Sequence, residues 1–556
     1  MSRFIPEQET LTVEFKSDLK KVDDSVIFDA VVAFANTDGG DLYLGVENNG
    51  EITGVHKDHS NPITLGALIA NNTIPPVSTR CEIIEDIRPV LKISVPKSYG
   101  GIVATQSGKV LRRRMKIDNT PESTPMYPSE MVTRLSDLRQ VDYSSMVVLE
   151  GSEEDIDLLE IERLRKIILA YDGDKTLLPL NNIELLRALG FIREQNDMIY
   201  PTVAGLLMVG KIQSLRRFVP TNQASFQVLE GTTVRVNEDS CLPILAAIEK
   251  LITQTDVWNS DQEIELGMFR MPAPEFDKRS IREAIVNAFS HRDYSLLGRV
   301  RVAIADDGLT VANPGGFIEG VTIQNLLNAE PHGRNPILAD ALKRVGLAEK
   351  TGRGIDRIFE GSLIYGRPLP DYSNSTSRYV SLFIPRSKPD VQMTKLIADE
   401  QSKIGRPLPL HSLLILNLLK DQPRSDVKQL SEASHLSEAV VKATLNQAIE
   451  SGLVEAFGVA RGRNYMLSHR LYHEREQTIG YVLQRDMDEV RFPELIMNMA
   501  KANPFISRAD VVNLLHVNEA KAYTLLRKLV DHDMLERINT GRYAKYRIKK
   551  GNDTSF

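Results

Sequence analysis

Residues 280–295 read SIREAIVNAFSHRDYS. At the helical period, Ile281, Ile285, Ala288 and Phe289 fall on one apolar stripe, while Glu283, Asn287 and His291 recur every four residues along another face. A carboxamide oxygen is a hard, neutral ligand that completes a hydrated Mg²⁺ held mainly by phosphates, and a carboxylate one turn earlier can polarise an attacking water. An ordinary amphipathic surface helix also carries Glu and Asn at this spacing, so the segments that follow have to decide. Val300, Val302 and Ile304 alternate as in a strand, Asp307-Gly308 has the chemistry of a tight hairpin turn, and Leu309-Thr310-Val311 returns to Asn313-Pro314-Gly315-Gly316. Further on, Gly352-Arg353-Gly354 offers backbone N–H groups and a guanidinium to close over phosphates. Helix, hairpin and glycine loops together predict a nucleotide pocket.

At these residues the chain resembles the GHKL ATPase superfamily, and more closely the divergent GHKL domain of bacterial regulators described as RecG-like or Schlafen AlbA ATP-binding proteins. The resemblance lies in REAIVNAFSHRDY, NPGGFIEGVT, HGRNPILADALKRVGL and EKTGRGIDRI, spread from Arg282 to Ile358. It implies Glu283 as the water-activating base, Asn287 as the Mg²⁺ ligand and Gly352 and Gly354 as part of an ATP lid, with His291 and Arg353 beside the cofactor. The adenine-reading Asp of the superfamily's D-x-G-x-G box is Asn313 here, followed by Gly315 and Gly316 at a shortened spacing. Asn offers a donor and an acceptor but no charge. The expectation is therefore ATP and Mg²⁺ binding, with slow turnover at most.

The chain has 556 residues, 26% charged and 42% hydrophobic, which suits a soluble protein of three or four domains with separate cores. Its net charge of −6 excludes uniform coating of nucleic acid, so any such contact must come from local basic patches. Cys81 and Cys241 stand far apart without metal-ligand spacing, which argues against structural zinc and a disulfide framework. The start lacks an apolar signal core, and no run of about 18 apolar residues occurs, so a cytoplasmic chain without membrane contact is expected.

In the N-terminal region, Leu11, Val13 and Phe15 alternate with Thr12, Glu14 and Lys16, predicting a strand with Glu14 and Lys16 on its polar face. A helix from about Asp24 turns Ile27, Val31 and Phe34 inward, Leu42, Leu44 and Val46 form a second strand, and Asn49-Gly50 marks a turn. Glu9, Glu14-Phe15-Lys16 and AFANTDGGDLYLGVENNGEITGV resemble the Schlafen AlbA-like domain. In nucleolytic members the acidic positions cleave RNA, and by motif they map onto Glu9, Glu14 and Glu47, which would hold a divalent metal if they converged. In bacterial regulators the same fold is credited with DNA binding, and Glu14 has a structural alternative as the ion-pair partner of Lys16 or Arg113. Arg112-Arg113-Arg114 and Lys116 form the densest basic run. Strand alternation sends Arg112 and Arg114 to one face and Arg113 to the other.

SEEDIDLLEIERLRKIILA predicts a helix capped by Ser152, and NNIELLRALGFI a second, in a winged-helix-like connector. Gly205 to Lys211 superficially begins a P-loop, but Ile212 stands where Ser or Thr should bind Mg²⁺, and bulky apolar residues fill the phosphate-wrapping positions. This segment reads as core. Near the C-terminus, the offset of 81 residues between Ile415 and Ile496 also separates Pro423 from Pro504, Leu453 from Met534, Glu455 from Glu536, Arg461 from Arg542 and Tyr465 from Tyr546. Each repeat reads helix, helix, turn, helix and two strands around a basic tip, the winged helix-turn-helix pattern. Such modules bind DNA or serve as protein adaptors. Lys521, Arg527, Lys528, Arg542 and Lys545 make the second copy the stronger DNA candidate.

The expected fold class is α+β and multidomain. It comprises a Schlafen AlbA-like domain over 1–140, a winged-helix-like connector over 150–215, a GHKL-type α/β sandwich ATPase domain over 216–388, and tandem winged helices over 410–470 and 490–550. The expected function is ATP-responsive binding of nucleic acid, double-stranded DNA above RNA, in a transcriptional regulator that forms homo-oligomers. The rival is a metal-dependent nuclease gated by ATP, and a third possibility is a scaffold whose GHKL domain binds nucleotide only to dimerise.

Overall fold

The computed structural model describes residues 5–138, 140–266, 269–330, 333–349, 353–422, 424–457, 463–468, 492–515, 519–532, 534–538 and 544–549. Gly352 and Arg542 lie outside the described residues. The chain divides into two compact units, one of Met1–Thr255, Arg282–Gly354 and Tyr372–Phe383, the other of Asp256–Ile281, Ile355–Asp371 and Ile384–Phe556.

The first unit opens with β1 (Val13–Lys16), α1 (Asp24–Ala35) and β2 (Gly40–Leu44); β1 and β2 are parallel, with Glu14 opposite Leu42. After α2 (Pro62–Asn71) and β3 (Thr73–Ile74), β4 (Arg80–Ile84) and β5 (Val90–Val95) complete a sheet of order β1-β2-β5-β4. Period-two alternation feeds both of its faces. Leu42 and Leu44 join Ile27, Val31 and Phe34 of α1 in one core, while Tyr43 joins Phe15, Val46 and Val90 in another. Because both faces are covered, Glu14 is not on a solvated face as its alternation suggested; it is 6% exposed and paired. Its Oε2 accepts from Arg113 Nη1 at 2.6 Å and its Oε1 lies 2.6 Å from Lys16 Nζ. The short β6 (Ala104–Thr105) precedes the hairpin β7 (Leu111–Met115) and β8 (Pro121–Pro125), and α3 (Pro128–Asp137) follows. Within β7 the expected alternation holds, with Arg113 buried and Arg112 and Arg114 half-buried on the other side.

The connector departs from expectation at its start. Ser152 caps a short 3-10 turn, Glu153–Asp155, and the long helix α4 (Leu158–Ala170) begins one turn later, where Asp157 Oδ1 accepts from Leu159 N at 2.9 Å. Next come α5 (Asn182–Ala188), the hairpin β9 (Ile192–Gln195) and β10 (Met198–Pro201), α6 (Val203–Val209) and α7 (Ile212–Phe218). Every residue of α6 is buried, and a Cβ on Gly205 would collide with the Phe191 carbonyl oxygen. The glycine serves packing, in keeping with a core segment.

β11 (Ala224–Glu230), β12 (Thr233–Ser240), β15 (Val300–Ile304), β16 (Gly308–Pro314) and β17 (Tyr379–Pro385) form a mixed sheet of order β12-β11-β15-β16-β17. Ala305 and Gly308 bond each other's backbone, so the β15–β16 turn centres on Asp306-Asp307, one residue before the Asp-Gly pair predicted for it. The helices of this region are α8 (Ile244–Trp258), α9 (Lys278–His291) and α10 (Pro336–Arg344). The second unit includes the hairpin β13 (Asp261–Leu266) and β14 (Phe269–Pro274), α11 (Gly354–Leu363) and α12 (Val391–Ile404).

Beyond α13 (Leu410–Asp421), the sequence repeat becomes a structural one. α14 (Val427–Ser434), α15 (Glu438–Glu450), β18 (Val454–Phe457) and β19 (Asn464–Leu467) recur as α17 (Arg508–Leu515), α18 (Glu519–Asp531), β21 (Leu535–Arg537) and β22 (Lys545–Ile548), each starting 81 residues later. α16 (Phe492–Ala502) matches α13, and the bridge Ser425–Tyr465 recurs where β20 (Ile506–Ser507) pairs Ile506 with Tyr546. Three helices and a small antiparallel sheet in each copy make both winged helices. Among the described residues no helix is long and apolar enough to cross a membrane, and both cysteines are free and half-buried.

Two substitutions test this packing by chemical denaturation. Glu14→Gln leaves the buried Arg113 guanidinium without its charge partner and lowers stability by about 3 kcal/mol. Gly205→Ala forces α6 off Phe191 and destabilises by about 2 kcal/mol.

Candidate nucleotide site and nucleic-acid surfaces

The part of α9 from Arg282 onward buries Ala284, Ile285, Val286, Ala288 and Phe289. Glu283 is only 2% exposed, while Asn287 and His291 are half-buried along the same side of the helix. Gly354 lies against them. A Cβ there would collide with Glu283 Oε1 and sit 3.4 Å from Asn287 Nδ2. Glu283, Asn287 and Gly354, all of the first unit, therefore share one place, while Arg353, the next residue out, is exposed. The buried phenol of Tyr372 also faces this place, its pKa raised first by burial and then by the negative charge of Glu283. Its ring lies 6.0 Å from that of Phe317 in the glycine segment.

The glycines after β16 are committed to packing. Gly315 has φ +93°, donates its N–H to Arg378 O at 2.8 Å, and leaves no room for a side chain between Arg334 and Asp293. Gly316 closes against the Thr376 carbonyl oxygen, which a Cβ would approach to 2.7 Å. Asn313 is 5% exposed, and its Nδ2 donates to Pro314 O at 3.2 Å. The imidazole of His291 is covered by Gly333, where a Cβ would stand 3.2 Å from the ring.

The last carbonyls of a helix have no partner within it. Here Asn335 Nδ2 donates to Ser290 O at 3.0 Å and to Arg292 O at 2.8 Å, and Arg334 Nη1 donates to His291 O at 3.1 Å. The same buried Arg334 also donates to Gly316 O at 3.2 Å and twice to Asp137 Oδ1, at 3.0 and 2.6 Å. Burial pushes the Asp137 carboxyl up against the pull of that guanidinium. Asp137 belongs to α3, and two more residues of α3 reach the same region. Thr133 Oγ1 donates to Asp293 Oδ2 at 2.7 Å, and Arg134 Nη1 donates to Glu319 Oε2 at 2.5 Å. Lys97 completes the link at 2.9 Å from Glu319 Oε1. Sequence reasoning missed Asp137, Arg134, Asp293, Glu319 and Arg334 as a group. Their partners lie far away in the chain, and no periodicity signals such a bond.

Of the other expected sites, Glu9 accepts from Phe15 N at 2.8 Å and Glu47 from Thr53 Oγ1 at 2.8 Å. No group of three or more His, Cys, Asp or Glu among the described residues, the Glu9, Glu14 and Glu47 set included, is placed to hold a metal, and Glu14 is paired with Arg113 and Lys16. Arg112 and Arg114 each carry a carboxylate already, Glu130 at 2.5 Å and Glu122 at 2.6 Å, while Lys116 is exposed. In α18, Ala522, Leu526 and Leu529 are buried and Tyr523, Arg527 and Lys528 are exposed, with Arg527 3.8 Å from Asp531. Lys521 lies over the Phe492 ring at 5.7 Å and Lys545 over Phe505 at 5.7 Å.

Comparison with known proteins places domains on this frame. The family described as Schlafen, AlbA_2 matches residues 9–120, and the C-terminal family of putative ATP-dependent DNA helicase recG matches 298–383. A domain of unknown function matches 132–225, which takes in α3 and the connector, and a winged helix-turn-helix DNA-binding family matches 411–455. No curated protein sequence matches significantly. Among solved structures, the DIP2311 protein from Corynebacterium diphtheriae is 19% identical and aligns over 97% of this chain and 95% of its own, with a TM-score of 0.50, a likeness of fold alone. The mRNA-binding domain of elongation factor SelB from E. coli, solved with SECIS RNA, aligns over 25% of this chain and 98% of its own at 16% identity; its TM-score of 0.12 supports no argument. The chain thus joins a Schlafen AlbA-type domain, a RecG-C-terminal-type ATPase-like domain and a winged helix-turn-helix DNA-binding domain, in agreement with the AlbA-like and RecG-like resemblance of its motifs.

Proposed function

We propose that this protein is an ATP-responsive DNA-binding regulator in which nucleotide at the Glu283/Asn287/Gly354 site changes how the AlbA-like and winged-helix domains engage DNA. Asn287 would hold Mg²⁺ through its carboxamide oxygen, and the backbone at Gly354 with the exposed Arg353 would meet phosphates. ATP with Mg²⁺ supplies a charged ligand whose binding energy can differ between two arrangements of the protein. Glu283, enclosed beside Asn287, is placed to orient water, and slow hydrolysis would reset the state.

The observation that carries this reading is Arg334. One buried guanidinium caps the helix that bears Glu283 and Asn287, holds the glycine turn, and clamps Asp137 of α3, the helix that follows the AlbA-like domain. A shift of α9 toward nucleotide therefore strains bonds that reach α3, Glu319 and Lys97. In the second unit, Asn417 Nδ2 of the first winged helix donates to Leu363 O at 3.1 Å, the end of α11. The winged helices supply the DNA contacts, with Arg527, Lys528 and Tyr523 outward on α18. The nuclease alternative requires Glu14 to abandon Arg113 and Lys16, which nothing in its surroundings favours.

Two variants separate binding from coupling when duplex DNA affinity is titrated with and without Mg²⁺ and ATP. Asn287→Ala weakens ATP binding about tenfold or more, a loss of ~1.4 kcal/mol, and abolishes the ATP-dependent change in DNA affinity. Arg134→Ala binds ATP as the wild type does, yet its DNA affinity no longer responds to ATP. A wild-type response in both variants contradicts the proposal, as does metal-dependent cleavage of DNA or tRNA that Glu14→Ala removes.

A further inference from the structure

α4 buries Ile161, Leu164, Ile167 and Ile168 against the connector. Its other side is unusual. Leu158, Leu159 and Leu169 are 65%, 76% and 63% exposed, and the exposed Glu162 and Lys166 lie between them. At about 100° per residue these five side chains fall within an arc of roughly 100°. A single exposed leucine needs no explanation, but three on one face of a short helix mark a surface that something covers.

The order of residues says what. Lay the same helix antiparallel beside it, with a two-fold axis opposite residue 164, and Leu159 meets the partner's Leu169 while Glu162 meets the partner's Lys166. Symmetry then repeats both pairs. Such self-complementarity is what a two-fold interface demands, since one patch must serve as both sides. A lipid surface is a poorer match, because Glu162 in the middle of the stripe would be pressed against apolar chains. Glu162 has only a 3.8 Å approach from Arg165, whose guanidinium is already spent on the carbonyls of Leu178 and Leu180.

We propose that the protein forms a two-fold dimer by packing the Leu158–Leu169 face of α4 antiparallel against the same face of a second copy. The helix is only about 20 Å long, so the association is reversible and concentration-dependent. Tyr171, immediately after α4, lies under the Arg282 guanidinium at 5.1 Å, next to Glu283. The dimer does not depend on the ATP reading and is tested without nucleotide.

Sedimentation velocity on the full chain over a concentration series provides the test, with far-UV circular dichroism confirming that each variant is folded. Lys166→Glu sets two carboxylates against each other twice and raises the dimer dissociation constant about tenfold or more. The exchanged pair Glu162→Lys with Lys166→Glu restores wild-type association. A chain that stays monomeric throughout overturns the proposal. So does a Lys166→Glu variant that associates like the wild type, or an exchanged pair that fails to restore association.

Discussion

A buried guanidinium is costly to remove from water unless every side of it meets an acceptor in good geometry. Arg334, 3% exposed, meets this demand by drawing together three segments that no local preference would join: the end of α9, the turn after β16 and the end of α3. Its planar fork matters. Lysine in its place would gather its donors on one nitrogen and could not span partners placed around a planar fork. The glycine at 315 follows from the same demand, since any side chain there would occupy the volume of the arginine. The geometry that surrounds Glu283 and Asn287 is therefore set from outside their own helix.

The N-terminal domain solves a similar problem differently. Glu14 sits on a strand whose two faces are both covered, so its charge is kept only by pairing with Arg113 and Lys16. Arg113 is in turn stacked 4.9 Å from the Phe34 ring and bonded to the Thr10 carbonyl. The neighbouring arginines, on the outer face of β7, are neutralised by Glu130 and Glu122. The three arginines of the basic run thus belong largely to an internal charge lattice, which leaves Lys116 as the exposed cation of that run.

Much of this was legible in the sequence where the signal is local or repeated. The apolar stripe Ile281, Ile285, Ala288 and Phe289 is buried as its period predicts, the alternation through Arg112, Arg113 and Arg114 holds, and the 81-residue offset recurs element by element in the winged helices. The juxtaposition of Glu283 with Gly354 was anticipated through the family resemblance rather than through spacing. What could not be read were bonds made across the chain: Arg334 with Asp137, Arg134 with Glu319, Thr133 with Asp293. Burial of Glu14 escaped too, because alternation says which residues share a face but not whether that face meets water. The start of α4 was misplaced for a simpler reason, since Ser152 and Asp157 are both good caps and only packing chose between them.

Bonds of α3 join the candidate nucleotide site to the AlbA-like domain, since Arg134 reaches both Glu319 and the Ser98 carbonyl and Asp137 takes Arg334. Hydrogen–deuterium exchange of the full chain with and without Mg²⁺ and ATP tests this link most directly. Coupling through α3 predicts altered exchange both in α9 and in the amides of Thr133 to Asp137, the last five residues of α3, which no nucleotide need touch. Changes confined to residues 282–291, with α3 exchanging identically in both states, would contradict it.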